Sequence, residues 1–175
     1  MISTRIAGFS NRFMATKITA GSVLPSVKVH EKTPKDGIDI RDVFGKDKGI
    51  LIGVPGAFTP NCHLTHIPSY IKDFDALKAA GVKNIACVSV NDVFVMNAWG
   101  ENLHAEGKVR MLADPKADLV KALGLDFSGA VDVLGNIRSK RFAAVIDGGK
   151  VKHIEVEPDN TGTSCTLAGD VRKHL

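Results

Sequence analysis

A chain of 175 residues is long enough for one domain with a proper core. Its hydrophobic fraction of 44% and charged fraction of 24% are ordinary globular values, and no apolar run approaches the ~18 residues of a membrane span. The net charge of +4 and pI near 9.0 are mildly basic, but acids and bases alternate, aromatics are sparse, and no basic–aromatic interleaving marks a nucleic-acid surface; the one dense basic patch, Arg138 to Arg141, reads as a solvated face.

The first residues differ from the rest. Arg5 and Arg12 are the only charges before Lys17, acids are absent until Glu31, and Ile2, Ile6, Phe9 and Phe13 fall on one helical face. Residues 1–13 are therefore expected to be a targeting leader of mitochondrial type or a disordered end, with Met14 as a second possible start. Residues 14–175 are expected to form a single domain. The final "KHL" only loosely resembles a peroxisomal tripeptide, because Lys173 fits its first position poorly.

Within the domain, "GSVLPSVKVHE" alternates like an edge strand, and "TPKDG" at 33–37 reads as a turn. "ILIGV" at 50–54 has the look of a buried strand. Thr59 is a good N-cap and Pro60 suits the first helical position, so Cys62 falls in the first turn of a helix. Leu64, Ile67, Ile71, Phe74 and Leu77 continue that helix along one face, Pro68 should kink it, and Gly81 closes it. "NIACVSV" (84–90) is a second buried strand. A helix follows over 91–107, capped near Asn91 and stopped at Gly107. "VRMLAD" (109–114) is a third strand, and "PKADLVKALG" (115–124) a short helix with Pro115 at its start. "RFAAVID" and "KVKHIEVE" flank Gly148-Gly149 as a hairpin, and a short helix ends the chain after about Ser164. Alternating strands and helices predict an α/β layer fold with a largely parallel centre, made mixed by the hairpin. Sites in such sheets gather beyond the carboxyl ends of the strands. Cys62 lies there.

The three cysteines, Cys62, Cys87 and Cys165, make no secreted disulfide framework; their odd number and wide spacing suit a reducing compartment. Cys87, between Ala86 and Val88, reads as a small buried hydrophobe. Cys62 does not, because it sits in a capped first turn between Asn61 and His63. His63 and His66 are one turn apart, but no second ligand cluster with recognisable spacing completes a zinc site. "CHLTHIPSY" also lacks the glycines and arginine of a phosphate cradle. A nucleophile fits better, since free N–H groups and the partial positive charge of a helix N-terminus favour thiolate over thiol. His63 or an arginine from elsewhere could add to that field. A free thiol with a pKa of about 8.5 is ~3% thiolate at pH 7. Complete ionisation therefore gains at most about thirty-fold, or ~2 kcal/mol. Larger acceleration needs donors aimed at the substrate.

"PGAFTPNC" resembles the peroxidatic motif of peroxiredoxins, Pro-x-x-x-Thr-x-x-Cys. The wider resemblance is to the peroxiredoxin 5 subfamily, the atypical two-cysteine group of animals. It runs from about Lys17 through "THIPSY", "IACVSVNDVFV", "WGENL", "MLADP", "GNIRSKRF" and "VEPDNTGTSCTL". It implies a thioredoxin-like fold, a mixed central sheet flanked by helices, and thiol-dependent reduction of hydrogen peroxide and organic hydroperoxides without a cofactor or metal. By resemblance, Pro55 shields the thiolate and Thr59 hydrogen-bonds the thiolate and the peroxide. Cys62 is the peroxidatic nucleophile, Arg141 the cation that lowers its pKa and polarises the peroxide, and Cys165 the resolving cysteine. Cys87 stays outside the cycle. The chain departs from the family at Asn61 and Ser69, where glycine is common.

The expected cycle runs through a Cys62 sulfenic acid and an intramolecular disulfide with Cys165, reopened by thioredoxin. The alternative is a redox-sensing interaction protein that relays oxidation to partners. The resemblance also implies a homodimer through the face near the site; the cysteine usage and the first residues point to a cytoplasmic or mitochondrial location.

Overall fold

The apolar runs near 50–54 and 84–90 sit side by side in the middle of a seven-stranded sheet, in a computed structural model that describes residues 17–175. In chain order the elements are β1 (Lys28–His30), β2 (Gly37–Asp39), α1 (Ile40–Phe44), β3 (Gly49–Val54), a π-helical turn (Cys62–His66), α2 (Ile67–Lys72), α3 (Phe74–Ala79) and β4 (Asn84–Ser89). Then follow α4 (Val93–Asn102), β5 (Arg110–Ala113), α5 (Asp118–Ala122), β6 (Asp126–Phe127), α6 (Val131–Leu134), β7 (Arg138–Ser139), β8 (Phe142–Asp147), β9 (Lys150–Val156) and α7 (Ala168–Val171). The large sheet has the order β2-β1-β5-β4-β3-β8-β9, while β6 and β7 pair separately. β3, β4 and β5 run parallel; β8 lies antiparallel on β3 and β9 antiparallel on β8. This is the expected mixed sheet with a parallel centre. The leader proposed for residues 1–13 lies outside the described residues.

β3 is apolar without alternation because both its faces are covered. Ile50, Ile52 and Val54 face α2, α3, α4 and α7, meeting Ile67, Tyr70, Leu77, Trp99 and Val171. Leu51 faces the other way, toward Ile40 and Phe44 of α1 and Leu119 of α5. Cys62 and Cys87 belong to the first layer. Gly53 has a specific reason to be glycine: a Cβ there would lie 2.0 Å from the Phe142 ring. The bare backbone lets Phe142 lie against β3, and that fixes its neighbour Arg141. Gly148 and Gly149 turn the β8–β9 hairpin with φ of 57° and 74°, both left-handed as a two-residue hairpin turn requires.

Several boundaries differ from the sequence reading. β1 is not an edge, because β2 pairs with its outer side. β2 and α1 were not anticipated; α1 is five residues long and depends on the Asp39 carboxylate, which caps the Arg41 N–H at 2.9 Å. α4 starts one residue later than expected, capped by Asp92 at the Val95 N–H, and ends at Asn102 instead of Gly107. α5 starts at Asp118, not Pro115. Ala117 before it is left-handed at φ 58°, and the Asp114 carboxylate accepts from the amides of Leu119 and Val120.

The helix after Cys62 is broken twice. Pro68 has no N–H, and in a regular helix its ring would press on the carbonyl four residues back. The chain opens into a π turn just upstream, where the Ile67 N–H reaches the Cys62 carbonyl. The wider turn rotates the preceding residues out of phase. Leu64, expected on the buried face, is therefore 72% exposed, whereas Ile67 and Leu77 are buried. The second break, at Asp73, separates α2 from α3.

Candidate active site

Cys62 follows the loop that leaves the carboxyl end of β3. Pro55 and Gly56 are buried at its start, and Phe58 is held left-handed at φ 60°. The Phe58 ring stacks on His63 at 5.7 Å, and the Trp99 indole N–H donates to His63 Nδ1 at 3.1 Å. The helix opens with the His63 N–H bonding the Thr59 carbonyl, so Thr59 occupies the cap position. Its hydroxyl does not cap; it donates to the Gly56 carbonyl at 2.9 Å. No Thr59–Cys62 hydrogen bond forms among the described residues.

The Cys62 sulfur is fully buried and meets a buried arginine. Arg141 Nη1 donates to Cys62 Sγ at 3.3 Å and lies 3.0 Å from His66 Nδ1. Arginine has only donors, so Nδ1 accepts and the ring hydrogen sits on Nε2. That hydrogen goes to the Thr166 carbonyl at 3.0 Å. Burial, and then the Arg141 charge, push His66 down to about 3. His66 is therefore neutral, and the positive charge beside Sγ belongs to Arg141. The rest of the guanidinium is anchored by Nε and Nη2, which donate to the Thr161 carbonyl at 3.0 and 2.9 Å. The basic patch read as a solvated face is not one: Arg141 and Ser139 are buried, and Arg138 and Lys140 are half-buried.

A second arginine braces the loop. Arg138 Nη1 donates to Asn91 Oδ1 at 3.2 Å, and that oxygen also accepts from the Ala57 N–H and the Ser89 hydroxyl. Gly56 lies under the same guanidinium; a Cβ on it would sit 3.2 Å from Arg138 Nη1. Asn91, expected as a helix cap, instead ties the 55–59 loop to β4.

Cys165 is half-buried, and all three cysteines are free thiols. Its segment hangs on one carboxylate. Glu157 Oε2 accepts from the Ser164 N–H and hydroxyl, and Oε1 from the Cys165 N–H and the Thr166 N–H and hydroxyl. Burial alone would raise the Glu157 carboxyl, but these bonds outweigh it and hold it at about 2. Burial, and then the Glu157 charge, push the Cys165 thiol up to about 11. Burial also pushes the Cys87 thiol well up, as its place inside β4 implied. Tyr70 completes the cluster, its hydroxyl donating to the Thr166 carbonyl at 2.6 Å.

A buried thiol under a guanidinium, beyond the carboxyl end of a central strand, is an arrangement for nucleophilic sulfur chemistry. The redoxin family model matches residues 19–170. Peroxiredoxin-2D of Arabidopsis thaliana is 38% identical over 90% of this chain and 98% of its own length. This chain belongs to the redoxin family, among the peroxiredoxins. It is a thiol-dependent peroxidase. Reduced Prx3 of Vibrio vulnificus in complex with H2O2 superposes with a TM-score of 0.82 and 41% identity, covering 89% of this chain and 98% of that one. Peroxiredoxin 5 of Alvinella pompejana superposes with a TM-score of 0.77 and 44% identity, covering 85% and 96%. Plant and bacterial relatives place this peroxiredoxin in a likeness wider than the animal group, and the chain has the thioredoxin-like fold.

Of the residues expected in the site, Cys62 and Arg141 are in direct contact, Pro55 and Thr59 lie in the adjoining loop, and the Cys165 N–H is held by Glu157. Tyr70 and Glu157 were not singled out from the sequence, while His66 was weighed only as a zinc ligand, Asn91 only as a helix cap and Arg138 only as part of a solvated patch. Glu157 carried the best signal, an acid directly after an alternating strand in "VEPDNTGTSC". Ser69, at a position where the family favours glycine, donates to the His66 carbonyl and accepts from the Ala168 N–H, linking α2 to α7. A surface groove that includes Lys78, Asn84 and Arg110 opens at the amino ends of β4 and β5, away from Cys62.

Proposed function

We propose that Cys62 is the peroxidatic nucleophile and Cys165 the resolving cysteine of this peroxidase. The 3.3 Å contact between Arg141 Nη1 and the buried Cys62 sulfur carries the reading. Thiolate attacks the terminal oxygen of the hydroperoxide, the O–O bond breaks, and water or an alcohol leaves after protonation. Arg141 stabilises the negative charge that develops on the departing oxygen. Thr59, whose hydrogen is committed to Gly56, offers its oxygen lone pairs to the peroxide O–H, and Pro55 walls the sulfur from bulk water.

The product is a Cys62 sulfenic acid. The Cys165 thiol displaces its hydroxyl as water and forms an intramolecular disulfide. A dithiol reductant of thioredoxin type reopens it by exchange, taking the disulfide onto itself. Substrates are hydrogen peroxide and organic hydroperoxides. The Vibrio complex with H2O2 supports the former.

The three cysteines in their matched contexts and the 44% identity to the Alvinella protein favour the peroxiredoxin 5 subfamily. Exposed Phe58 and Leu64 beside the loop, and Phe94 on α4, favour a homodimer through this face. No described helix is long and apolar enough to cross a membrane. We assign the chain to the cytoplasm and, through residues 1–13, to the mitochondrion, in line with the mitochondrial name of the Arabidopsis relative peroxiredoxin-2F.

The test is peroxide-dependent oxidation of reduced thioredoxin, with hydrogen peroxide and an alkyl hydroperoxide in parallel. Cys62→Ser is expected to lose turnover completely while keeping its melting temperature. Residual turnover above background in that variant would refute the assignment of the nucleophile.

A further inference from the structure

β9 carries His153 and Glu155 two residues apart, so both leave the same face of the strand. The intervening Ile154 packs into the opposite core layer with Val156. The final turn of the chain, Arg172–His174, brings a third donor onto the pair. The His153 and His174 rings stack at 3.6 Å with only 9° between their planes. His153 Nε2 lies 2.8 Å from Glu155 Oε1. One ligand atom from each of His153, Glu155 and His174 lies within 4.8 Å of the other two.

The chemistry of this trio is specific. Two imidazoles and one carboxylate are the donor set of three-ligand zinc sites that leave a fourth position to water. They suit first-row divalent ions, not Ca2+ or Mg2+, which prefer oxygen. Neighbouring cations do not compete for Glu155: Lys173 pairs with Asp170 at 2.8 Å, and Arg172 faces Asp73 at 3.9 Å. The His153 and Glu155 side chains are 30% and 34% exposed, enough for an ion to enter and for part of its surroundings to stay dry. No step of the peroxidase cycle uses these residues.

We propose that His153, Glu155 and His174 form a binding site for a divalent transition-metal ion, Zn2+ by donor preference. The stacked rings turn so that one nitrogen of each, with a Glu155 oxygen, faces the ion. The ion then joins the end of the chain to β9. The stretch between Glu155 and His174 contains Cys165, so the ion closes a loop around that thiol. If Cys165 resolves the sulfenic acid, as proposed above, the bound ion restrains the movement that brings it to Cys62.

The experiment uses the reduced, tag-free full chain and Zn2+ alone. Calorimetric titration is expected to show one site per chain, weakened at least about ten-fold in His153→Ala and in His174→Ala. The site should persist in Cys62→Ser and in Cys165→Ser, and Zn2+ should raise the melting temperature of the wild type but not of His174→Ala. Undiminished affinity in both histidine variants, loss of the site in a cysteine variant, or no uptake by the wild type would each overturn the proposal. A separate arm follows the two oxidation steps after one equivalent of peroxide. Zn2+ is expected to slow disulfide closure and leave sulfenic acid formation unchanged, with no effect in His174→Ala. If calorimetry shows the site but closure is unaffected, the metal site stands and the restraint on Cys165 is wrong.

Discussion

Replacing Glu157 by glutamine isolates what one buried carboxylate does for the Cys165 segment. Five donors converge on its two oxygens. Glutamine keeps one acceptor oxygen and turns the other position into a donor. The amide oxygen can serve Cys165 and Thr166, but its NH2 group then faces the Ser164 N–H. The Ser164 hydroxyl can turn to accept; the backbone N–H cannot, and it is left unpaired. The magnitude follows from the carboxyl being held at about 2 instead of its ordinary 4.5. At 1.36 kcal/mol per pKa unit, ionised Glu157 contributes roughly 3 kcal/mol of stability near neutral pH. The folded-state pKa is depressed, so this contribution is complete above about pH 5 and fades as pH falls from about 4.5 toward 2. At pH 3 roughly 1 to 2 kcal/mol remains. Urea unfolding of wild type and Glu157→Gln at pH 7 and pH 3 measures both values. The gap between them should narrow by about half at the lower pH. An equal gap at both pH values would show that the cost is steric and that the carboxylate charge holds nothing. No gap at pH 7 would refute the network.

Arg141→Met should slow alkylation of Cys62 by at most about thirty-fold, the ceiling set by ionisation, and slow its oxidation by peroxide by more; equal losses in stopped-flow rates would remove the transition-state role. Cys165→Ser should oxidise once, stall as a sulfenic acid trapped by a dimedone-type reagent, and lose turnover with thioredoxin; a disulfide-linked dimer as the main oxidised form of the wild type on a non-reducing gel would overturn the intramolecular scheme. Tyr70→Phe should cost about 1 kcal/mol in urea unfolding and leave peroxidase activity unchanged, because the Thr166 carbonyl keeps its bond from His66; a loss of activity without a loss of stability would show that Tyr70 acts in the reaction.

The strands were legible where one local signal sufficed. β3 and β4 are unbroken apolar runs, and Gly148-Gly149 leaves the β8–β9 hairpin little choice. β2 and α1 were not legible, since three- and five-residue elements carry no period, and what starts α1 is one aspartate carboxylate that accepts from the Ser26 hydroxyl and caps the Arg41 N–H. Leu64 was misplaced for a definite reason: a period of 3.6 extrapolated through a π turn arrives on the wrong face. In the site, a reactive Cys62 could be argued from its place after a central strand at the start of a helix. Arg141 could not, and only the resemblance selected it from the basic run. His66 and Glu157 escaped because their roles are long-range. His66 reaches the Thr166 carbonyl across 100 positions of sequence, and no local pattern records such a partner.

The contacts of Arg141 join the two cysteines through a single loop. Its N–H donates to the Asn160 carbonyl, its own carbonyl accepts from the Glu157 N–H, and Nε and Nη2 are spent on Thr161. That commitment is what leaves Nη1 for Cys62 and His66. The next residues of the same loop, Ser164 to Thr166, hang from Glu157 and carry Cys165. A disulfide needs the two Cα atoms within about 7 Å, so any approach of Cys165 to Cys62 on the proposed cycle would draw its segment from Glu157 or open the π turn. Either movement strains the anchors that aim the guanidinium. Before oxidation the donation from Arg141 Nη1 to Cys62 Sγ opposes this strain. On the proposed cycle, conversion of Cys62 to a sulfenic acid would alter that contact, and the loop would become freer to move at the step that needs Cys165.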